Sequence, residues 1–279
     1  NHHEMREDSI IIADSKAKPV KPENCQAQLI DLPFTSTAKE LGTALMKNMV
    51  AIGATSALMH LDTSTFEDLI TNMFTKKGDK VVEMNIQALN QGYQLMKEQL
   101  ADINGDFELQ ESNEAPHLYM IGNDAIGLGA ISAGSRFMAA YPITPASEIM
   151  EYMIANLPKV GGTVVQTEDE IAAATMSIGA NYAGVRGFTA SAGPGLSLMM
   201  ESIGLSGMTE TPFVVINTQR GGPSTGLPTK QEQADLMQMI YGTHGDIPKI
   251  VVAPTDAEDA FYLTMEAFNL AEEYQCPVI

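Results

Sequence analysis

A chain of 279 residues, 44% hydrophobic and 18% charged, has room for one or two domains with real cores. Sixteen Lys and Arg against thirty-five Asp and Glu leave a formal charge of −19, the wrong sign for binding a nucleic-acid backbone, and no basic cluster offsets it. The two cysteines, Cys25 and Cys276, lie far apart with no C-x-x-C, which excludes a thiolate zinc site or an iron–sulfur cluster held by this chain alone, and no apolar run approaches the ~20 residues that span a bilayer.

There is no signal peptide at the start, so a soluble, cytoplasmic protein with reduced thiols is expected. The chain begins at Asn1 rather than Met, and its end, Cys276-Pro277-Val278-Ile279, resembles the opening of a buried strand. The natural polypeptide is therefore expected to continue on one or both sides.

Residues 1–32 read as irregular apart from the strand-like run Ile10-Ile11-Ile12. From Thr35 to Leu58 apolar residues recur at helical spacing: Leu41, Leu45, Met49, Ile52 and then Met59. A second helix is expected over Phe66–Phe74, capped by Asp62 or Thr63, and a third over Val81–Leu100, with Val82, Ile86, Leu89, Tyr93 and Met96 on one face. This region contains no obvious chemistry and suits a packing or subunit-contact role. Ala101–Pro116 is polar, acidic and without periodicity, as a linker would be.

Beyond it, apolar runs alternate with helical segments at the spacing of βα units. Strands are expected at Phe137–Tyr141, Gly162–Gln166, Gly187–Ala190, Phe213–Thr218 and Lys249–Ala253. Helices are expected at Asp124–Ser135, Ala146–Ala155, Glu170–Ala183, Gly195–Ser206, Gln231–Ile240 and Ala257–Glu273. The pattern predicts an α/β fold, a mostly parallel, doubly wound sheet, in which ligands sit beyond the C-terminal strand ends.

One glycine-rich segment and four strand-end segments are candidates for chemistry. Gly122–Gly129 is not a G-x-G-x-x-G loop and has no following G-K-S/T; Asn123 or Asp124 suits a helix cap there. In Tyr141-Pro142-Ile143-Thr144-Pro145, two prolines constrain the backbone around the Thr144 hydroxyl. In Gln166–Glu170, Glu168 and Asp169 suit a helix N-terminus, whereas Glu170, followed by Ile171 and three alanines, is set beside apolar surface where a carboxylate can hold a raised pKa. Ser191-Ala192-Gly193-Pro194-Gly195 opens a helix, and Arg220, after an apolar strand and before Gly221-Gly222, is a natural partner for a carboxylate. No catalytic triad and no metal-ligand spacing is present.

Taken together, YPITP, the EDE-I-A-A-A helix start, FTAS-A-GPG and QRGGPSTGLPTKQEQADL resemble the α subunit of 2-oxoacid:ferredoxin oxidoreductases, most closely the 2-oxoglutarate type, almost continuously from Gly122 to Ile279. Residues 1–100 carry a weaker likeness, at Asn48–Gly53 and Val81–Asn85, to the C-terminal part of the family's γ domain, fused ahead of α. The resemblance implies a γ-like segment at 1–100, a linker at 101–116 and a pyrimidine-binding α/β domain at 117–279.

It further implies thiamine diphosphate as cofactor and coenzyme A as co-substrate, with Glu170 hydrogen-bonded to the cofactor's pyrimidine nitrogen and so driving deprotonation of its thiazolium carbon. Tyr141, Pro142, Ile143, Glu170 and Ser191 are expected to line the cofactor, and Thr144 and Arg220 to contact the 2-oxoacid. The family's Gly-Asp-Gly metal motif is missing here, where only Gly-Asp-Lys at 78–80 and Gly-Asp-Ile at 245–247 occur. Mg²⁺ and the iron–sulfur clusters are therefore expected on a partner β subunit, in a hetero-oligomer of paired αβ units that reduces ferredoxin and is inactive without β. Pyruvate and indolepyruvate or branched-chain relatives are alternatives, although Ile143 and the GGPSTGLPTK run argue for the 2-oxoglutarate type; a non-catalytic scaffold is the remaining one.

Overall fold

The computed structural model describes residues 5–103, 105, 107–109, 115 and 117–279. The chain divides into two compact units, Asn1–Ala115 and Pro116–Ile279. The expected linker at 101–116 lies partly outside the described residues.

The first unit is less purely helical than its sequence suggests. Strands β1 (Ile10–Asp14) and β2 (Gln28–Leu32) pair in parallel, Ile10 opposite Gln28. Their pairing is non-local and β1 is only half-buried along its length, so neither alternation nor a turn signal marks it in the sequence. The helix expected over Thr35–Leu58 is two helices, α1 (Phe34–Glu40) and α2 (Lys47–Leu58), separated where Gly42 takes a positive φ of 135°. Helices α3 (Ser64–Phe74) and α4 (Asp79–Lys97) follow.

Two glycines let α2 and α4 approach backbone to backbone. A Cβ at Gly53 would lie 1.8 Å from the Leu89 carbonyl oxygen, and one at Gly92 would lie 1.9 Å from that of Val50. Around this contact Val50, Ala54, Ala57, Ala88 and Met96 form a core with Ile30, Leu32 and Phe34 from β2 and α1.

The second unit is the α/β fold that the alternating pattern predicts. In chain order it runs α5 (Gly122–Ser132), β3 (Phe137–Ala140), α6 (Ser147–Asn156), β4 (Thr163–Gln166), α7 (Glu170–Tyr182), β5 (Gly187–Ser191), α8 (Gly193–Met208), β6 (Phe213–Asn217), α9 (Leu236–Tyr241), α10 (Ala257–Tyr274) and β7 (Pro277–Val278). The sheet is parallel throughout, in the order β4-β3-β5-β6-β7.

Side-chain alternation along the strands divides the core between two faces. Met138, Phe188, Ala190 and Val214 pack with Ile149, Met153 and Phe268 from α6 and α10. Phe213 and Val215 point the other way, onto Ala174, Leu196, Met199 and Ile203 of α7 and α8. β5, at the centre, is buried along its whole length.

One expected strand is corrected. Lys249–Ala253 is not a regular strand; the fifth strand is β7, and residues 250–252 run beside it through Ile250 N to Pro277 O (3.1 Å), Ile279 N to Ile250 O (2.9 Å) and Val252 N to Ile279 O (3.0 Å). A strand assignment needs a partner of matching length, and β7 has two residues. The helix expected over Gln231–Ile240 is likewise shorter, α9 beginning at Leu236.

Gly92→Ala inserts a methyl where the neighbour is rigid backbone, so α4 must move away from α2. We predict a loss of roughly 1–3 kcal/mol, the usual cost of overpacking a close interface, read as a lower denaturation midpoint for the first unit.

Candidate functional site

The sheet order places its first strand, β3, between β4 and β5. The chain leaves β3 in one direction to build β4 and then crosses back to build β5, so the loops after β3 and β5 diverge and open a crevice at the C-terminal edge. Thr144 follows β3, Glu170 follows β4, Ser191 ends β5 and Arg220 follows β6. All four stand on that one edge.

Glu170 is the first residue of α7. Asp169 caps the helix, its carboxylate accepting from Ala172 N at 2.7 Å, and Thr167 Oγ1 donates to Asp169 O at 2.8 Å. Glu168 and Asp169 are exposed, so their charges meet both helix dipole and water. Glu170 is only 6% exposed, and among the described residues nothing donates a hydrogen bond to its carboxylate.

The helix that carries Glu170 is fixed to β5. Ser177 Oγ donates to Phe188 O at 2.9 Å; Asn181 donates to Gly187 O at 2.8 Å and accepts from Gly187 N at 2.9 Å. These bonds, with Ala173 and Ala174 wholly buried beneath them, hold the start of α7 in place.

Across from it stands Gly195, in the first turn of α8. A Cβ there would lie 2.6 Å from Glu170 Cγ, 2.8 Å from Glu170 Oε1 and 1.9 Å from Ser191 Oγ. In the sequence this turn reads as a helix opening; its glycine is required by the approach of both Ser191 and Glu170. A glycine inside a helix is a visible signal of that kind, because it weakens the helix unless something needs the space.

Arg220 is 7% exposed and has no acidic partner within ion-pair distance among the described residues. Its Nη1 donates to Thr144 O at 2.7 Å and its Nη2 to Thr225 O at 2.8 Å, while Nε is buried without a partner. The arginine thus ties the loop after β3 to the Gly-Pro loop after β6 and retains N–H groups for a further acceptor. Beside it, a cavity of about 360 Å³ is bordered by Gly193, Pro194, Gly222, Ser224 and Asp235. The buried Asp235 carboxylate accepts from Asn217 Nδ2 at 3.0 Å and packs against Gly193, so this cavity mixes both signs of charge.

The structure brings Thr144 to Arg220 and Ser191 to Glu170. Tyr141 and Thr144 are exposed, Pro142 is half-buried, and Ile143 packs against the core. Asn123, expected to cap α5, instead donates to Pro145 O at 3.2 Å and to Glu148 Oε2 at 2.7 Å, anchoring the far side of the same loop. Among the described residues no group of three or more His, Cys, Asp and Glu could hold a metal ion, and no helix is long and apolar enough to cross a membrane.

Comparison with known proteins matches residues 128–279 to the family described as "Pyruvate flavodoxin/ferredoxin oxidoreductase, thiamine diP-bdg", and residues 1–95 to "Pyruvate ferredoxin/flavodoxin oxidoreductase". The chain is 54% identical over 161 residues to 2-oxoglutarate synthase subunit KorA of Methanothermobacter thermautotrophicus, a match covering 58% of this chain and 43% of that protein. It is 41% identical over 250 residues to 2-oxoacid:ferredoxin oxidoreductase 1, subunit alpha, of Sulfurisphaera tokodaii, covering 85% of this chain and 38% of the relative. A solved structure, 2-oxoglutarate:ferredoxin oxidoreductase from Magnetococcus marinus with 2-oxoglutarate, coenzyme A and succinyl-CoA bound, superposes with a TM-score of 0.82 at 42% identity, over 99% of this chain and 48% of that one. The chain therefore spans less than half the length of these relatives.

Replacing Arg220 by Lys leaves one ammonium where two carbonyls were bridged. Losing one charge-assisted bond is worth about 1.5–3 kcal/mol, so the amides of Gly221 and Leu227, bonded to Lys230 O and Gly221 O, are predicted to exchange with solvent at least ~10-fold faster in hydrogen-exchange measurements.

Proposed function

Because the chain belongs to the pyruvate ferredoxin/flavodoxin oxidoreductase family, we propose that it is part of the α subunit, with γ fused ahead of it, of an enzyme that decarboxylates 2-oxoglutarate oxidatively, with coenzyme A as acyl acceptor and ferredoxin as electron acceptor. The observation that carries this reading is a pair of largely buried ionisable side chains that lack a counter-charge among the described residues, Glu170 without a donor and Arg220 without an acid. The names of the relatives support 2-oxoglutarate over pyruvate as substrate. On the same reading residues 1–100 are γ-like, 101–116 a linker and 117–279 the pyrimidine-binding domain.

The site residues fit thiamine diphosphate on this chain's side. The carboxylate of a largely buried Glu170, with no donor among the described residues, matches an aminopyrimidine ring nitrogen that carries a proton, and Ser191 Oγ, fully buried and unpartnered, borders the same space. Bound there, the cofactor supplies a nucleophilic carbon and an electron sink for decarboxylation. Glu170 accepts the hydrogen bond of the protonated ring nitrogen; the clamp of α7 on β5 keeps its carboxylate in register. Tyr141, Pro142 and Ile143 form the wall after β3. Arg220 presents its remaining N–H groups to the substrate carboxylate, and Thr144 offers its hydroxyl from the loop that Arg220 itself fixes.

Mg²⁺ and the iron–sulfur clusters we assign to a β subunit, since this chain has no Gly-Asp-Gly and two isolated, buried cysteines. The active complex is then a cytoplasmic hetero-oligomer of αβ units.

Three variants in the full-length subunit, assembled with its partner, test the reading. Glu170→Gln keeps the shape but cannot take up a proton, and 2-oxoglutarate-dependent ferredoxin reduction should fall about 10²–10⁴-fold. Retention of near wild-type turnover would remove Glu170 from the mechanism. Arg220→Met should lower kcat/KM for 2-oxoglutarate at least about 30-fold, the equivalent of the 2 kcal/mol or more lost with a buried charge partner; faster turnover of pyruvate than of 2-oxoglutarate by the unmutated complex refutes the substrate assignment. Gly195→Ala displaces Glu170 or Ser191 and should lower turnover at least ~10-fold while cofactor-independent folding, followed by circular dichroism, persists.

A further inference from the structure

Ser191 carries a hydroxyl that the fold buries and then leaves without a partner. It ends β5 with 1% of its surface exposed, and its Oγ has no hydrogen bond. Burying an unpaired hydroxyl is unfavourable, and alanine would fit the same strand without that cost. Strand alternation turns Phe188 and Ala190 into the core under α6 and α10, so Thr189 and Ser191 face α7 and α8.

On that side the polar groups close by are Glu170 and Asn217, which stands opposite Ser191 on β6, gives its Nδ2 to Asp235 and keeps a buried Oδ1 without a partner among the described residues. The position of a Gly195 Cβ lies 1.9 Å from Ser191 Oγ and 2.8 Å from Glu170 Oε1, so both oxygens border the single gap that Gly195 leaves. One is an unused donor and the other an unused acceptor. They are not hydrogen-bonded to each other in the free protein.

We infer that Ser191 is a positioning residue, donating its hydroxyl to the Glu170 carboxylate when that side chain engages its ligand. The inference rests on the reading of Glu170 given above. A donated hydrogen bond fixes the carboxylate's orientation, so that its other oxygen is aimed at the ligand's ring nitrogen. The surroundings leave this task to Ser191. Strands β3, β5 and β6 bring no ionisable side chain, and the acid of α8, Glu201, is exposed and beside His244. Glu168 and Asp169 are exposed on Glu170's own turn, Asp235 is engaged by Asn217, and Arg220 by two carbonyls; none is bonded to the Glu170 carboxylate.

The test compares Ser191→Ala, Ser191→Cys and Glu170→Gln in the full-length subunit assembled with its partner. Without the hydroxyl the Glu170 carboxylate loses a fixed orientation, so kcat should fall about 10-fold while KM for 2-oxoglutarate stays within about twofold. The cysteine variant, a weaker donor of similar shape, should lower kcat by less. The cofactor-free complex should unfold at the same temperature as wild type or higher in the alanine variant, since an unpaired buried hydroxyl has gone.

An unchanged kcat in either serine variant overturns the inference, as does a lower unfolding temperature for Ser191→Ala, which would make the hydroxyl structural. If Ser191→Ala fails to assemble, the kcat of Ser191→Cys decides. If Glu170→Gln keeps its turnover, the underlying reading of Glu170 falls; if it loses turnover while the serine variants match wild type, only the role of Ser191 falls.

Discussion

Burying a charge without a counter-charge is the constraint on which the second unit turns. Arg220 and Glu170 are both more than nine-tenths buried, and neither forms an ion pair within the described residues. Such groups persist only when fixed dipoles or a bound ligand replace the water they have lost. For Arg220 part of the replacement is visible, two backbone carbonyls from two loops. For Glu170 the N-terminus of α7 is the one such dipole among the described residues, and Asp169 already occupies its capping position. On the proposed reading, the missing partners are the substrate carboxylate and the protonated pyrimidine, so each deficit names the chemistry of what binds.

The fold contributes precision to these deficits. A parallel sheet in the order β4-β3-β5-β6-β7 sends successive loops to one edge, and the change of direction at β3 separates two of them. Within that frame the positions are set by backbone hydrogen bonds rather than by side-chain packing alone. Asn181 and Ser177 tie α7 to β5, Asn123 holds the loop after β3 from α5, and Arg220 holds the same loop from β6. Arg220 therefore both presents its charge and orders the loop that carries Thr144, which couples loss of the one to displacement of the other.

Much of this is legible in the sequence, for physical reasons that can be named. Four of the strands are short, apolar and flanked by helical periodicity, and Phe137–Ala140, Thr163–Gln166, Gly187–Ser191 and Phe213–Asn217 fall within a residue or so of expectation. Glu170 stands out because three alanines follow it, and alanines on a helix leave room for close packing. What escapes is pairing between distant segments: β1 with β2, and residues 250–252 with β7, where the decisive hydrogen bonds join stretches of chain that carry no mutual signature. The apposition of Ser191, Glu170 and Gly195 escapes for the same reason. Each residue has an ordinary local account, as strand end, helix start and helix turn, and only the crossing of α7 and α8 over β5 makes them neighbours.

That crossing also explains why an unsatisfied hydroxyl and a helix glycine occur together. Each weakens the free protein, Ser191 by an unpaired buried oxygen and Gly195 by a first turn without a side chain to restrict it. Were the region only a packing core, alanine would serve better at Ser191; at Gly195 a Cβ would meet both Ser191 Oγ at 1.9 Å and Glu170 Cγ at 2.6 Å. Glycine thus leaves the space that both oxygens border, and on the proposed reading Ser191 is the donor that meets the carboxylate in it. Local disagreement with the rules of stable folding, concentrated at three contacting residues, is the pattern expected where binding rather than stability has chosen the side chains.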